Sequence, residues 1–370
     1  MLDALRNRGS QLVDDLATLV EIESPSGDVD ATRKAADAVA AIGVRLVGAA
    51  PEVLDTDGGR PFLRWAFGQP PWRVVLVGHL DTVWPIGTLA RWPFHIDHGM
   101  ATGPGAFDMK AGLVQGLHAL SLLDDLDGIA FVVNADEETG SLGSRALIEE
   151  SARGASAALV LEPSAAGALK TGRKGVSLYD LDVTGLAAHA GLEPEKGVNA
   201  TVELAAQILA VGSIADAAVG TTVTPTTAAA GTTINTVPAS ATVHFDVRCA
   251  SIAEQERVDR ALRALETTLP GSGLRLRGGP NRPPFEESSS RTLFALANEV
   301  AAELGLRPLD GVVVGGGSDG NFTAGIGVPT LDGLGAVGDN AHAEGEHVII
   351  DAMPERAALV GGLVERLLRS

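Results

Sequence analysis

The chain has 370 residues, of which 45% are hydrophobic and 20% are charged. Its length suits two domains, and its apolar share excludes an intrinsically disordered chain. Aspartate and glutamate total 47 against 28 lysines and arginines, which gives a formal net charge of −19. Because so acidic a chain repels phosphate backbones, we expect no nucleic-acid partner.

The first part of the chain alternates amphipathic helices with strands that are buried on both faces. Apolar residues at helical spacing predict helices over 1–20, 29–42, 109–125 and 143–152. Apolar runs predict buried strands at 74–77, 129–134 and 157–164, and a further short strand is expected near 44–48. Helices that alternate with buried strands indicate an α/β domain with helices on both faces of a sheet.

The pattern changes near Lys174, where apolar and polar side chains begin to alternate as in half-exposed antiparallel strands. The elements of this segment are helices at 198–212 and 252–269, with alternating strands at 175–185, within 221–250 and from Gly273. We therefore predict an inserted α+β domain over 174–284 with the β-α-β-β-α-β order of ferredoxin-like folds. The α/β pattern resumes from Ser289 and ends in a helix, so residues 1–173 and 285–370 form the other domain.

Cysteine content and the N-terminus bear on the compartment. The one cysteine, Cys249, allows no intramolecular disulfide and no cysteine-based zinc site. Residues 1–22 have the pattern of an amphipathic helix rather than of a signal peptide, and no apolar run of about 18 residues predicts a transmembrane helix. We therefore expect a cytoplasmic protein with no membrane partner.

Potential ligands follow the three predicted buried strands. His79 and Asp81 end the first strand, two positions apart and therefore on the same face. Glu137 and Glu138 follow the second strand, and Glu162 ends the third. Ligands of open α/β sheets bind at the carboxyl ends of the strands, so we expect these side chains at one edge.

Two further candidates lie outside these strands. Asp108 precedes a predicted helix, and His342 lies in a glycine-rich loop before the last helix. Ordinary structural explanations compete with a shared site. Asp108 would cap its helix, His79 would pair locally with Asp81, and the adjacent glutamates would belong to a solvated loop.

Taken together, two histidines and three carboxylates form a mixed nitrogen and oxygen ligand set. Such a set suits Zn²⁺, with Co²⁺ or Mn²⁺ as substitutes. Five ligands are too many for one tetrahedral zinc, but they suit two metals that share a bridging carboxylate. The adjacent glutamates then supply one ligand and one general base, so the residues predict a dinuclear metal centre.

These residues stand in motifs that resemble the M20 family of metallopeptidases and deacylases. The motifs are GHLDT, GPGAFDMKAG, NADEETGS, LEPS, HAG around His189 and NAHAEGE, and they span nearly the whole chain in the order of the family. Within the family, GHLDTVWP, EETGSLGSR and GGGSDGNF are most similar to the glutamate carboxypeptidases. The resemblance implies a zinc-exopeptidase-like catalytic domain with a central mixed sheet, and an inserted lid that also forms a homodimer.

The resemblance also implies a role for each site residue. The zinc ligands that it implies are His79, Asp108, Glu138, Glu162 and His342, with Asp108 as the bridge between two ions. Glu137 becomes the general base, and Asp81 becomes the partner that orients His79. A cis peptide bond is implied between Asp108 and Met109.

Three residues of the insert are implied in substrate handling. His189 would stabilise the oxyanion, Arg248 would grip a free carboxylate of the substrate, and Asn235 would assist. Because His189 lies far in sequence from every ligand, we expect it to reach the metals of the partner subunit in a homodimer. The alternatives are a loop histidine without a catalytic part, and an Arg248 that pairs with Asp246 on the strand.

The expected substrate is a small peptide or an N-acyl amino acid, and other functions compete. Met109 and the pair Arg173–Lys174 resemble the deacylase branch, so an N-acyl-amino-acid deacylase is the alternative. A remote alternative is a nucleotide-binding oxidoreductase, because Gly315, Gly317 and Gly320 match GxGxxG after a strand, although we predict no apolar-periodic helix after them. A non-catalytic binding protein would lack a ligand, and none is missing.

Overall fold

The secondary structure divides between two units of the chain. The computed structural model describes residues 1–369, and its helices are α1 (Leu2–Arg6), α2 (Gly9–Val20), α3 (Val29–Val47), α4 (Ala111–Leu120), α5 (Arg145–Ala152), α6 (Ala200–Gly212), α7 (Ile252–Arg263), α8 (Arg291–Glu303), α9 (Gly320–Gly325) and α10 (Met353–Arg369). Its strands are β1 (Glu52–Asp55), β2 (Pro61–Phe67), β3 (Val74–His79), β4 (His95–Asp97), β5 (Met100–Thr102), β6 (Ile129–Asn134), β7 (Ala157–Val160), β8 (Leu169–Arg173), β9 (Gly175–Thr184), β10 (Ala188–His189), β11 (Thr222–Ala230), β12 (Thr236–Val237), β13 (Ser240–Cys249), β14 (Gly273–Arg282), β15 (Gly311–Val314), β16 (Thr330–Leu331), β17 (Gly338–Asp339) and β18 (His347–Ile349). Unit 1 comprises Met1–Gly172, Glu286–Val314 and the chain from Ser318, and unit 2 comprises Arg173–Phe285 and Gly315–Gly317. None of the helices within residues 1–369 combines the length and the apolar character needed to cross a membrane.

Unit 1 contains a six-stranded mixed sheet in the order β1-β2-β6-β3-β7-β16. β3 runs parallel to β6 and β7, whereas β2 runs antiparallel to β6. Val74 and Leu76 of β3 pack into one apolar cluster, and Val75 and Val77 pack into another. Successive side chains of a strand point to opposite faces, so both faces of the sheet are covered, as the uninterrupted apolar run predicted.

Helix α4 brings its backbone close to the end of β7. The helix is buried along its whole length. A Cβ atom on Gly112 would lie 2.1 Å from the carbonyl oxygen of Leu161, a distance that no real side chain tolerates. Glycine at this position therefore lets the helix approach the chain segment just before Glu162.

Helix α3 is longer than the sequence pattern predicted. It begins after Asp28, whose carboxylate accepts a hydrogen bond from the first turn, and it ends at Gly48, which has a φ of 71°. The strand expected near 44–48 is therefore wrong. The helix continues because Gly43 allows it to pack directly on the indole of Trp65.

Other elements of unit 1 also differ from the expectation. The helix expected over 1–20 is interrupted, so that α1 and α2 are separate. The hairpin of β1 and β2 was not predicted, since β1 is short and mostly exposed. α9 begins at the last glycine of the GxGxxG match, but it has six residues and one large apolar side chain, Phe322, so it is not the apolar-periodic helix that a nucleotide-binding motif needs.

Unit 2 contains a four-stranded antiparallel sheet in the order β11-β13-β9-β14. α6 lies between β9 and β11 in the chain, and α7 lies between β13 and β14, which gives the predicted β-α-β-β-α-β order. Val243, Phe245 and Val247 of β13 are buried in one apolar cluster with residues of both helices. The alternating His244 is exposed on the opposite face, so the period-two pattern identified this sheet correctly.

A buried carboxylate fastens a loop of unit 2 to α6. Glu203 is completely buried and accepts hydrogen bonds from the backbone N–H groups of Thr268 and Leu269 and from the side chains of Gln207 and Ser272. Burial alone would raise the pKa of Glu203, but these hydrogen bonds lower it to about 2. The loop after α7 is therefore held by charge-assisted hydrogen bonds.

Candidate metal centre

Three parallel strands end side by side at one edge of the sheet in unit 1. β3 lies between β6 and β7, and it ends at His79. Glu137 and Glu138 follow β6, and Glu162 follows β7. Because parallel strands end at the same edge, the fold brings these four side chains together.

His79 is a buried imidazole surrounded by carboxylates. Its Nε2 atom lies 3.4 Å from Oδ1 of Asp108 and 3.4 Å from Oε1 of Glu162. Its Nδ1 atom lies 3.0 Å from the carbonyl oxygen of Asp81 and 3.4 Å from Oδ1 of the same residue. Asp81 therefore occupies one ring nitrogen and orients the other toward the remaining carboxylates.

Asp81 also joins the ends of two strands. Its carboxylate is completely buried and accepts hydrogen bonds from Ser26 Oγ at 2.6 Å, from the backbone N–H of Glu137 at 3.3 Å and from that of Glu138 at 3.2 Å. The residue thus fixes both the imidazole of His79 and the start of the turn that carries the two glutamates.

Asp108 lies in an irregular turn, Ala106–Lys110, before α4. Its peptide bond to Met109 is cis, as the family resemblance implied. α4 begins after Lys110 and has no side-chain cap within the described residues, so the expectation of a helix cap at Asp108 does not hold. Instead the carboxylate lies between two imidazoles, with Oδ1 3.4 Å from Nε2 of His79 and Oδ2 3.3 Å from Nε2 of His342.

His342 joins the group from the loop between β17 and β18. Its backbone has a φ of 62°, and its Nε2 atom lies 3.1 Å from Oε1 of Glu138. Contacts with the carboxylates of Asp108 and Glu138 raise the pKa of His342 to about 10. One carboxylate, Asp108, therefore links the two histidines of the group, which is the arrangement that a bridging ligand needs.

The electrostatics of the group favour positive charge. Burial disfavours the charged form of His79, but nearby carboxylates, with Asp108 foremost, raise its pKa well above the ordinary value. Despite burial, His342 and His79 lower the pKa of Asp108. Burial raises the pKa of Glu138. The same carboxylates would favour divalent cations, which bind neutral imidazoles.

The donor atoms present fit divalent metal ions. Nε2 of His79 and Oδ1 of Asp108 are buried, and neither has a hydrogen-bond partner within residues 1–369. The ligand atoms of His79, Asp108 and Glu138 lie within 4.8 Å of one another, as do those of His79, Glu137 and Glu162. Buried polar atoms are costly unless something binds them, and imidazole with carboxylate suits Zn²⁺, Co²⁺ or Mn²⁺.

The chain matches a known protein family over most of its length. The profile of Peptidase family M20/M25/M40 matches residues 75–366. The chain belongs to this family. It is therefore a hydrolase of the M20 metallopeptidases and amidohydrolases, as the motifs predicted.

Individual relatives agree with this assignment. Carboxypeptidase G2 from Pseudomonas sp. (strain RS-16) is 36% identical over 309 residues, which cover 79% of this chain and 73% of that protein. Succinyl-diaminopimelate desuccinylase 2 from Shewanella loihica is 30% identical over 311 residues, which cover 76% of this chain and 82% of that protein. Aminopeptidase PepT from Bacillus cereus has a similar fold, with a TM-score of 0.76 at 22% identity over 97% of this chain and 99% of that chain.

Two of the predicted substrate residues lie near each other in unit 2 of this M20 hydrolase. His189 is exposed in β10, and its Nδ1 atom accepts hydrogen bonds from the backbone N–H groups of Gly191 at 3.1 Å and Leu192 at 3.2 Å. Asn235 is also exposed, and its backbone carbonyl oxygen accepts a hydrogen bond from the backbone N–H of Ala190 at 3.0 Å. The two strands β10 and β12 pair here, so both residues belong to one small surface.

The third, Arg248, lies in β13 of the same unit. Its Nε and Nη2 atoms each donate to a carboxylate oxygen of Asp246 at 2.7 Å. This pair with Asp246 is the alternative that the sequence offered to a substrate-binding role for Arg248. A substrate carboxylate would have to compete with Asp246 for the guanidinium.

Three residues at the centre had no role in the sequence analysis. Glu346 lies in the NAHAEGE motif, and this position was its only signal. Ser26 donates to Asp81, and Nζ of Lys170 lies 3.8 Å from Oε2 of Glu162. Ser26 lies 55 positions from Asp81 in sequence, and β8, which carries Lys170, was not predicted as a strand.

Proposed function

We propose that this M20 hydrolase is a di-zinc enzyme that cleaves an amide bond next to a free carboxylate, as a glutamate carboxypeptidase would. The observation that carries the proposal is Asp108, whose two carboxylate oxygens lie beside His79 and His342, two imidazoles with further carboxylates around them. The 36% identity with carboxypeptidase G2 supports the choice of reaction.

The proposed zinc ligands are His79, Asp108, Glu138, Glu162 and His342. Asp108 would bridge, because each of its oxygens lies beside a different imidazole. When bound, two zinc ions supply Lewis-acid polarisation of the scissile carbonyl and help to ionise a water. Asp81 holds the Nδ1 side of His79 and so keeps Nε2 available as a ligand atom.

Glu137 is the proposed general base. Its side chain is buried, and its backbone N–H is held by Asp81. One carboxylate oxygen of Glu137 lies within 4.8 Å of the potential ligand atoms of His79 and Glu162. Glu137 is therefore near the place where a water would react. A carboxylate there takes a proton from the attacking water and passes it to the leaving nitrogen.

His189 is the proposed oxyanion donor. Backbone N–H groups of Gly191 and Leu192 donate to Nδ1, so in the neutral imidazole the proton is on Nε2. The exposed Nε2–H is then a ready donor toward a developing oxyanion. Arg248, once released from Asp246, would hold the substrate carboxylate through its planar fork, with Asn235 in support.

A homodimer through unit 2, which would serve as lid and dimerisation domain, is part of the proposal. β11 is an edge strand, and no strand within residues 1–369 pairs with its outer side. All its residues except Val223 are exposed, and it ends in the small residues Ala228, Ala229 and Ala230. α6, which packs beside β11, exposes Leu209 at 79%. A second copy related by a two-fold axis would extend the sheet and cover this leucine.

A deacylase is the second candidate. The observation in its favour is the 30% identity with succinyl-diaminopimelate desuccinylase 2 over most of both chains. Both candidates hydrolyse an amide with the same centre, so they differ in the acyl side of the substrate.

A substrate panel tests the proposal. Dipeptides and N-acyl amino acids that end in glutamate, aspartate, arginine or an aromatic residue are offered, each as the free acid and as the C-terminal amide. We expect cleavage of the free acids at least ~100-fold faster than of the amides, because one charge-assisted fork is lost. Chelator should abolish the activity, and zinc or cobalt should restore it. Equal rates on acids and amides, or full activity in metal-free protein, would contradict the proposal.

A further inference from the structure

A buried carboxylate beside the candidate metal centre is not among its ligands. Glu346 lies in the loop that connects β17 to β18, four residues after His342, and its side chain is completely buried. Its own carbonyl oxygen accepts a hydrogen bond from the backbone N–H of Gly103 at 3.4 Å. The loop that supplies His342 to the centre therefore ends in a residue held inside unit 1.

Four N–H groups converge on the two oxygens of Glu346. Oε1 accepts from the backbone N–H of Phe107 at 2.8 Å and from that of Asp108 at 2.9 Å. Oε2 accepts from the backbone N–H of Gly105 at 3.1 Å and from Nε1 of Trp84 at 2.9 Å. Three of the four donors belong to the short segment that ends at Asp108.

The segment needs this carboxylate because it has no regular hydrogen-bond ladder. Gly105 has a φ of 72°, and Asp108 and Met109 have non-helical backbone angles. Buried N–H groups without acceptors are destabilising, and a carboxylate supplies two acceptor oxygens to groups that point at one place. A glutamine could supply one oxygen only, and its NH₂ group would face N–H donors.

The same loop therefore contacts Asp108 at two points. Glu346 accepts from its backbone N–H, and Nε2 of His342 lies 3.3 Å from its Oδ2 atom. We propose that Glu346 is a positioning residue that holds the Asp108 turn, and with it the bridging carboxylate, in the place that two metals require. The proposal rests on the metal centre of the proposed function, and it assigns Glu346 no contact with substrate or metal.

The chain offers a matched control in unit 2. Glu203 is equally buried and also accepts backbone N–H groups, those of Thr268 and Leu269, but it touches none of the proposed ligands. Glu346→Gln and Glu203→Gln therefore remove the same kind of clamp from two different segments. A loss of stability caused by a buried amide should occur in both variants. A change in metal binding should occur in Glu346→Gln alone.

The first measurement is amide hydrogen exchange in the metal-free proteins. In Glu346→Gln we expect the amides of Gly105, Phe107 and Asp108 to exchange at least ~10-fold faster than in the wild type, because a broken clamp lets the turn open. The amides of Thr268 and Leu269 should be unchanged. Glu203→Gln should give the reverse pattern. Unchanged exchange over 105–108 in Glu346→Gln overturns the proposal.

The second measurement is zinc titration into the metal-free proteins by calorimetry with a competing chelator. Loss of a group that orients a ligand typically weakens metal affinity by about 10–100-fold, so we expect a weakening of that size in Glu346→Gln and less than about threefold in Glu203→Gln. At saturating zinc the Glu346→Gln enzyme should recover most of its kcat with KM unchanged, which a role in substrate binding would not give.

The outcomes separate this inference from the proposed function. Tight zinc binding by the wild type together with equal binding by Glu346→Gln overturns the inference and leaves the proposed function standing. Absence of zinc binding by the wild type overturns both. If Glu346→Gln does not fold, Glu346→Asp is used in its place. It keeps the charge but withdraws the oxygens by about one C–C bond, ~1.5 Å, so weakened zinc binding supports the inference and wild-type binding overturns it.

Discussion

Glu137 and Glu138 are adjacent in the chain but contact different groups. Oε1 of Glu138 lies 3.1 Å from the imidazole of His342, whereas Glu137 lies with His79 and Glu162. Both backbone N–H groups are held by Asp81. The two residues share one tight turn, but Glu138 is placed as the proposed metal ligand and Glu137 as the proposed base.

Substitution of each glutamate by glutamine tests these two roles. Glu137→Gln should retain the metals but lose about 10²–10⁴-fold in kcat, because a general base contributes that much. Glu138→Gln should lose metal, because an amide is a weaker ligand than a carboxylate. Elemental analysis and steady-state kinetics on the same preparations give the answer. If Glu137→Gln emptied the site while Glu138→Gln kept it full, the roles would be reversed.

At the level of elements, the same principle of a buried carboxylate with several donors occurs twice. Glu346 organises the turn before α4 in unit 1, and Glu203 organises the loop after α7 in unit 2. In both places the backbone is irregular, and the carboxylate replaces the hydrogen bonds that a helix or a strand would have supplied. Each of these two irregular segments is therefore held in place by one buried carboxylate.

The pKa of Glu203 predicts how unit 2 responds to acid. The folded-state pKa is about 2, below the ordinary value of 4.5. The stabilisation is therefore complete above about pH 4.5 and is lost as the pH falls toward 2, with a total of at most about 3 kcal/mol. Urea unfolding of the wild type and of Glu203→Gln, followed by a probe in unit 2, measures this contribution.

The prediction concerns the difference in the free energy of unfolding between the wild type and Glu203→Gln. At pH 7 the free energy of unfolding should be lower in Glu203→Gln by about 1–3 kcal/mol, since the charged acceptor is lost. At pH 3 the two values should have moved closer together. A gap that stays constant from pH 7 to pH 3 would show that ionisation of Glu203 does not stabilise the fold.

At the scale of the whole molecule, we propose that His189 of one subunit acts at the metal centre of the other subunit. Co-expression of Glu137→Ala with His189→Ala tests it, because each variant alone should be nearly inactive. A mixed dimer would contain one intact site, formed by the base of one chain and the histidine of the other. Random pairing makes about half of the dimers mixed, so activity should return to roughly a quarter of the wild type.

Two differently tagged chains show whether mixed dimers are present. If mixed dimers form and no activity returns, His189 serves its own chain. If no dimer of any kind forms, the proposed interface along β11 is wrong as well.

Sequence alone predicted much of the candidate centre, because His79, Glu137, Glu138 and Glu162 stand at or just after the ends of buried strands. The apolar run of β3 predicted a buried strand, and parallel strands end at one edge, so the order of residues was enough to place His79 and Glu162 together. The alternation in β13 likewise predicted a half-exposed antiparallel sheet in unit 2.

The tertiary structure decided what depends on contacts between distant segments. α3 continues to Val47 because Gly43 packs on Trp65, although local pattern favoured a strand there. Glu346 accepts four hydrogen bonds from residues more than 230 positions earlier, and no pattern among neighbouring residues encodes a contact over that length of chain. Periodicity reports the faces of helices and strands, whereas convergence of donors on one buried carboxylate arises only when the chain is folded.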